Sequence, residues 1–116
     1  MDRSDTALTP AVFHVLLALG DDEKHGYAIL KDVEEQTDGQ VRLSTGTLYA
    51  IIKRLLNEGI IKESRHRPPA DEDDQRRRYY ALTAQGRQVV AGEVERLQKL
   101  IATAREKKLL RRPKLA

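Results

Sequence analysis

The chain has 116 residues, 34% of them charged and 4% aromatic, with a formal net charge of +3 at pH 7 and no cysteine. That length supplies one domain's worth of core. The missing cysteines exclude disulfides and thiolate metal sites, and with no membrane-length apolar run and no signal-peptide layout at the start, a cytoplasmic protein without membrane association is expected.

Met1 to Leu8 reads as a frayed start. Thr9-Pro10 opens the first helix, a hydroxyl N-cap followed by proline at the position where its missing N–H costs nothing. Val12, Val15, Leu16 and Leu19 follow at helical spacing, and Phe13 and Leu17 widen the apolar surface enough to ask for a second partner. Asp21 to Lys24 is a polar turn. A second helix runs from about His25-Gly26 to Gln36, with Tyr27, Leu30 and Val33 expected inward. Thr37 to Gln40 is a turn by composition, and Val41 to Leu43 a short extended piece.

Ser44 caps a third helix, with Leu48, Ile51, Ile52 and Leu55 inward and Gly59 as its left-handed stop. Ile60 to His66 reads as a strand, Arg67 to Gln75 as a solvated loop holding Pro68-Pro69 and Asp71 to Asp74, and Arg76 to Leu82 as the return strand. Thr83 then caps a long last helix. On it Val90, Val94, Leu97, Ile101 and Ala104 alternate steps of four and three, a heptad-like seam that suggests pairing with another helix. The basic end, Lys107 to Lys114, reads as loose.

A helix, a turn and a capped helix are helix-turn-helix grammar, in which the second helix enters the major groove. On the third helix Thr45, Tyr49 and Lys53 stand at i, i+4 and i+8, facing away from the core. Hydroxyls and a lysine suit phosphates and base edges, and a tyrosine suits either. Gly46 allows close backbone approach near a helix start that attracts phosphate. Alone, this face is equally well explained as an ordinary solvated surface. The ribbon shifts the balance, because Arg65, Arg67, Arg76, Arg77 and Arg78 put cations on the strands themselves, which favours phosphate contact.

Catalysis finds little support. His14, His25 and His66 are isolated, no nucleophile motif or phosphate-cradling loop appears, and Asp71 to Asp74 lack ligand spacing and a fixing glycine. No enzyme activity, metal or cofactor is expected.

Four stretches occur in order: His25-Gly26-Tyr27-Ala28-Ile29, Ser44-Thr45-Gly46-Thr47-Leu48-Tyr49, Leu55-Leu56-Asn57-Glu58-Gly59-Ile60-Ile61, and Arg78-Tyr79-Tyr80-Ala81-Leu82-Thr83-Ala84-Gln85-Gly86. Together they resemble the PadR family of transcriptional regulators from about Thr9 to Arg87, with the last helix matching in position and length. The single C-terminal helix is similar to the short branch of the family. The resemblance implies a winged helix-turn-helix homodimer, usually a repressor, paired through the last helix with help from the first. It also implies that the third helix reads the major groove through Tyr49 and its neighbours while the wing touches the DNA backbone. Some members bind phenolic acids or flat hydrophobic drugs between subunits, so a small hydrophobic effector joins the candidate partners. This chain departs from such binders in having no tryptophan and a single phenylalanine, Phe13.

The expectation is therefore a mainly α fold with a small β-wing, a winged helix-turn-helix over 1–82 and a C-terminal dimerisation helix and basic tail over 83–116. The DNA-binding candidates are Ser44, Thr45, Gly46, Thr47, Tyr49, Lys53 and Arg54, with Arg65, Arg67, Arg76, Arg77 and Arg78 on the wing. The dimer candidates are Val12 and Leu16 with Val90, Val94, Leu97, Ile101 and Ala104. The partner is double-stranded DNA carrying a pseudo-palindromic operator. The competing reading is a winged-helix protein-interaction module that never meets DNA.

Overall fold

Each helix begins where a side chain takes up a backbone N–H that the helix itself leaves free. In the computed structural model, which describes residues 8–64 and 78–111, the Thr9 hydroxyl accepts from the Val12 amide at 3.2 Å and opens α1 (Pro10–Ala18). His25 closes the two-residue strand β1 (Lys24–His25) and caps α2 (Gly26–Gln36), its Nδ1 accepting from the Ala28 amide at 3.2 Å. The Ser44 hydroxyl accepts from Thr47 at 3.0 Å to start α3 (Thr45–Asn57). After β2 (Ile61–Glu63) and β3 (Tyr79–Leu82), the Thr83 hydroxyl accepts from Gly86 at 2.9 Å and opens α4 (Ala84–Glu106).

The core joins the inward stripes of three helices to the base of the sheet. Val12, Val15, Leu16, Ala18 and Leu19 of the first helical segment meet Ile29 and Val33 of α2, Leu48, Ile52 and Leu55 of α3, and Ile60, Ile61, Tyr80 and Leu82. Burying each of the larger side chains contributes about 1.5–3 kcal/mol. The i, i+4 spacing of Ile29–Val33 and Leu48–Ile52 places them on single faces.

The sheet has the order β1-β3-β2 and is antiparallel throughout, with Lys24 opposite Tyr80, Ile61 opposite Leu82 and Glu63 opposite Tyr80. A two-stranded ribbon was the expectation. The third strand comes from the segment read as a polar turn, and two residues are too few to show any period. Both wing strands are shorter than expected among the described residues. Val41 to Leu43 forms no strand but lays Val41 and Leu43 partly buried against the core. Tyr27, expected inward, is 64% exposed, and Leu30 is only partly buried; the α2 core face is Gly26, Ile29 and Val33. Of the basic end expected to be loose, residues 112–114 lie outside the described residues. Lys108 takes a left-handed φ of 59°, and the Leu109 and Lys108 amides return to the Ala104 and Arg105 carbonyls, closing the helix.

Lys24 ties three elements together. Its ammonium donates to the Ala18 carbonyl at 2.5 Å at the end of α1 and pairs with Asp21 at 2.6 Å and Asp32 of α2 at 3.3 Å. Burial alone would lower the pKa of this lysine; the hydrogen bonds with Asp21 and Asp32 outweigh it, and the net shift is upward. The Lys24 hydrogen bond in turn holds the Asp21 carboxyl below its ordinary value.

The end of α3, the sheet and α4 meet at one joint. Gly59 stops α3 with φ of 74°, and the Ile60 carbonyl accepts both the Thr83 amide at 3.1 Å and the Thr83 hydroxyl at 3.0 Å. Gly86 lies against that same carbonyl: a Cβ there would run into its oxygen and come within 3.1 Å of its carbon. Since backbone cannot swing aside as a side chain can, Gly86→Ala should lower unfolding free energy by about 2–3 kcal/mol in urea denaturation. Gly46, whose Cβ would meet nothing within 4 Å, serves as the control, and Gly46→Ala should raise stability by about 0.5 kcal/mol. Equal effects from the two substitutions would contradict this account of the joint.

Candidate nucleic-acid interface

With Leu48, Ile52 and Leu55 turned into the core, α3 leaves Thr45, Tyr49 and Lys53 on its outer side. Ser44, Gly46, Thr47 and Arg54 are exposed beside them. The hydroxyls of Ser44 and Thr47 are hydrogen-bonded to one another at 2.9 Å, so the cap that starts the helix also orients two polar groups on this surface. Nothing in the fold requires Gly46 to lack a side chain, and its bare backbone leaves room for another molecule. Lys53 makes no ion pair among the described residues, whereas Arg54 pairs with Glu58 at 3.2 Å one turn on. Of the two cations, Lys53 is the one without an opposing carboxylate among the described residues.

Tyr49, 37% exposed, leans from α3 onto the start of α2 at Gly26. Beneath it lies Tyr80, whose phenol is held above its ordinary pKa by burial first and then by Tyr49 and the Glu63 carboxylate. Tyr27 stands at this same end of α2. Its ring is stacked with His25 at 6.4 Å between centroids and has the Lys31 ammonium 5.8 Å from its centre. His25 meets Tyr79 of β3 edge-on at 5.5 Å. Tyr27 and Lys31 were not among the sequence candidates. The signal was present: Ile29 and Val33 already define the inward stripe of α2, and Tyr27 and Lys31 form a second i, i+4 pair on another face.

On the wing, Arg78 is exposed just before β3 and reaches Glu63 of β2 at 3.4 Å. Arg65, Arg67, Arg76 and Arg77 lie outside the described residues, as does the Asp71 to Asp74 run. Lys62 on β2, opposite Ala81, adds an exposed cation that sequence reading passed over. The Ser64 hydroxyl donates to Glu23 and ties the end of β2 back to the turn before β1. Among the described residues no group of three or more His, Cys, Asp and Glu could hold a metal ion, and no helix is long and apolar enough to cross a membrane.

The candidate pairing surface divides in two. Val12 and Leu16 are buried in the core of their own chain, and Leu17 is the exposed large aliphatic of α1. Val90 is partly buried on the same core. Further along α4, Val94 and Ile101 are exposed while Leu97 and Ala104 are half-buried. Leu100, outside the expected seam, is 52% exposed.

A helix-turn-helix carrying an antiparallel wing and a long terminal helix defines a winged-helix protein. The model of the PadR-like family of transcriptional regulators matches residues 15–92. The chain belongs to that family. Among solved structures, RosR of H. salinarum in a complex structure is 31% identical, with 86% of this chain and 84% of that one covered and a TM-score of 0.64. A PadR family transcription regulator of Clostridium difficile is 21% identical over 82% of this chain and 94% of its own, with a TM-score of 0.67. Bacillus subtilis PadR in complex with operator DNA is 18% identical over 93% of this chain and 51% of its own, TM-score 0.59, a likeness of fold. No curated protein matches the chain significantly.

Because the Ser44 hydroxyl is already committed to the first turn of α3, its removal should register in stability before any DNA is added. Ser44→Ala is expected to lower unfolding free energy by about 1 kcal/mol, and Ser44→Gly by only a few tenths. Denaturant titration of the two variants tests this; an Ala variant as stable as the parent would remove the cap from the account.

Proposed function

We propose that the protein is a homodimeric, sequence-specific DNA-binding repressor in the cytoplasm. The observation that carries this reading is the outer face of α3, polar and exposed along Thr45, Tyr49 and Lys53, on a helix whose other face is locked into the core. Membership of a family of transcriptional regulators supports it, as does a shared fold with a relative described in complex with operator DNA. In the proposed division of labour, Thr45, Thr47 and Tyr49 tune binding at the operator. Lys53, Arg54 and the wing arginines 65, 67, 76, 77 and 78 neutralise phosphates, and Ser44 and Gly46 shape the approach.

A pseudo-palindromic operator needs two recognition helices held at a fixed distance. The proposed dimer forms along the outer half of α4, where Val94, Leu97, Ile101 and Ala104 continue the seam begun at Val90. The DNA-binding unit over 1–82 and the pairing segment over 83–116 then share the first turns of α4. Release of DNA by a small hydrophobic effector acting at the apolar surface between subunits completes the reading.

Two experiments test it. In a fluorescence-anisotropy salt titration on DNA from upstream of the gene, Lys53→Ala should weaken binding across sequences. It should also flatten log K against log salt by about one unit, the loss of one phosphate contact. An unchanged slope removes Lys53 from the interface. Separately, Leu97→Glu puts a charge into the seam and should give monomers in sedimentation velocity together with loss of tight operator binding. An unaltered protein that sediments as a monomer at micromolar concentration would overturn the dimer.

A further inference from the structure

The glycine that opens α2 is not there for its own backbone. Gly26 starts a regular helix and has no positive φ, unlike Gly39 and Gly59. What leaves no space for a side chain is Tyr49. A Cβ on Gly26 would overlap the Tyr49 hydroxyl and come within 2.9 Å of Cζ and 3.4 Å of Cε1, and these three nearest atoms all belong to one phenol. Gly86 and, less closely, Gly20 face backbone carbonyls; Gly46 and Gly92 face open space. Gly26 alone has its absent side chain filled by an aromatic side chain of the helix proposed to read DNA.

A partly exposed tyrosine turns about two side-chain bonds, and fixing them on binding costs affinity unless the ring is already held. Here the ring crosses from α3 to the amino end of α2, where the helix dipole favours an anion. Resting on the DNA-binding reading above, we propose that Gly26 is a positioning residue. Its bare backbone holds the Tyr49 phenol against the start of α2, so that the hydroxyl is presented ready-set to the DNA backbone.

The geometry makes the test clean, because the atoms in the way are the far end of a flexible side chain. Gly26→Ala should leave the melting temperature near that of the parent while turning the Tyr49 ring outward, seen as a shift of its ring resonances in NMR. Gly26→Ala and Tyr49→Ala should each weaken operator binding roughly tenfold, the worth of one hydrogen bond to a charged group. The double variant should bind no more weakly than Tyr49→Ala alone, the signature of two residues acting as a unit.

Additive losses in the double variant, or parental binding by Gly26→Ala, would overturn the proposal. If Gly26→Ala lowers the melting temperature, its recovery in the double variant still identifies the ring as the obstacle, and failure to recover counts against it. An unaltered protein that binds no DNA would overturn the underlying reading instead. That failure is distinguishable, because the Tyr49 resonance shift reports on the contact without DNA.

Discussion

The arrangement of this protein depends on the carbonyl of Ile60. It is the point where α3 has just ended, β2 is about to begin, β3 has finished and α4 starts. Three groups converge on it: the Thr83 amide, the Thr83 hydroxyl and the bare α-carbon of Gly86. Thr83 also caps α4 and reaches the Gly59 carbonyl at 2.7 Å, so one threonine serves the ends of two helices. The direction of α4 relative to α3 is therefore set within a few residues rather than across the whole core. That matters because any device using α3 to touch one surface and α4 to hold a second copy must keep their relative direction constant.

A second constraint holds the opposite end of α3. Tyr49 packs onto Gly26 at the start of α2, and Lys24, just before it in sequence, clamps the end of α1 to α2 through the Ala18 carbonyl and Asp32. β1 connects this corner to the wing, because Lys24 and His25 pair with Tyr80 and Tyr79. The third strand thus carries the turn between α1 and α2 into the sheet, and α3 lies between two anchored ends.

Much of this was legible in the sequence wherever the signal is local. Thr9, Ser44 and Thr83 announce their helices because a hydroxyl before a helix can satisfy only nearby amides. Gly59 announces a stop because few other residues accept its φ. The relations that act between distant segments were not legible. Lys24-His25 shows no strand period, and a glycine such as Gly26 or Gly86 inside a helix reads merely as tolerated until the atom facing it is known. Tyr27 was expected inward together with Leu30 and Val33, whereas the burial of α2 follows the Ile29–Val33 stripe and leaves the tyrosine outside. Val12 and Leu16, candidates for a subunit contact, lie in the core of their own chain. Their first helix has more apolar surface than one stripe needs, but the extra belongs to Phe13 and Leu17, and the regular stripe goes to the core.

The same burial pattern explains why α4 has two different halves. At 23 residues it extends about 35 Å, while the core it rests on offers contact only to its first turns, at Gly86, Val89 and Val90. Beyond Val90 the helix leaves the core with Val94, Leu100 and Ile101 uncovered. In proteins most helical stability comes from packing an apolar face rather than from propensity. Local aids are modest: the Glu93–Arg96 ion pair at 2.5 Å and the closing turn at Lys108 secure ends and surface, not the apolar face. Covering that face with a second α4 would bury the seam and fix two α3 helices in one rigid body. The proposed dimer would then complete the helix as much as the proposed DNA-binding surface, and would tie the stability of α4 to the spacing of two half-sites.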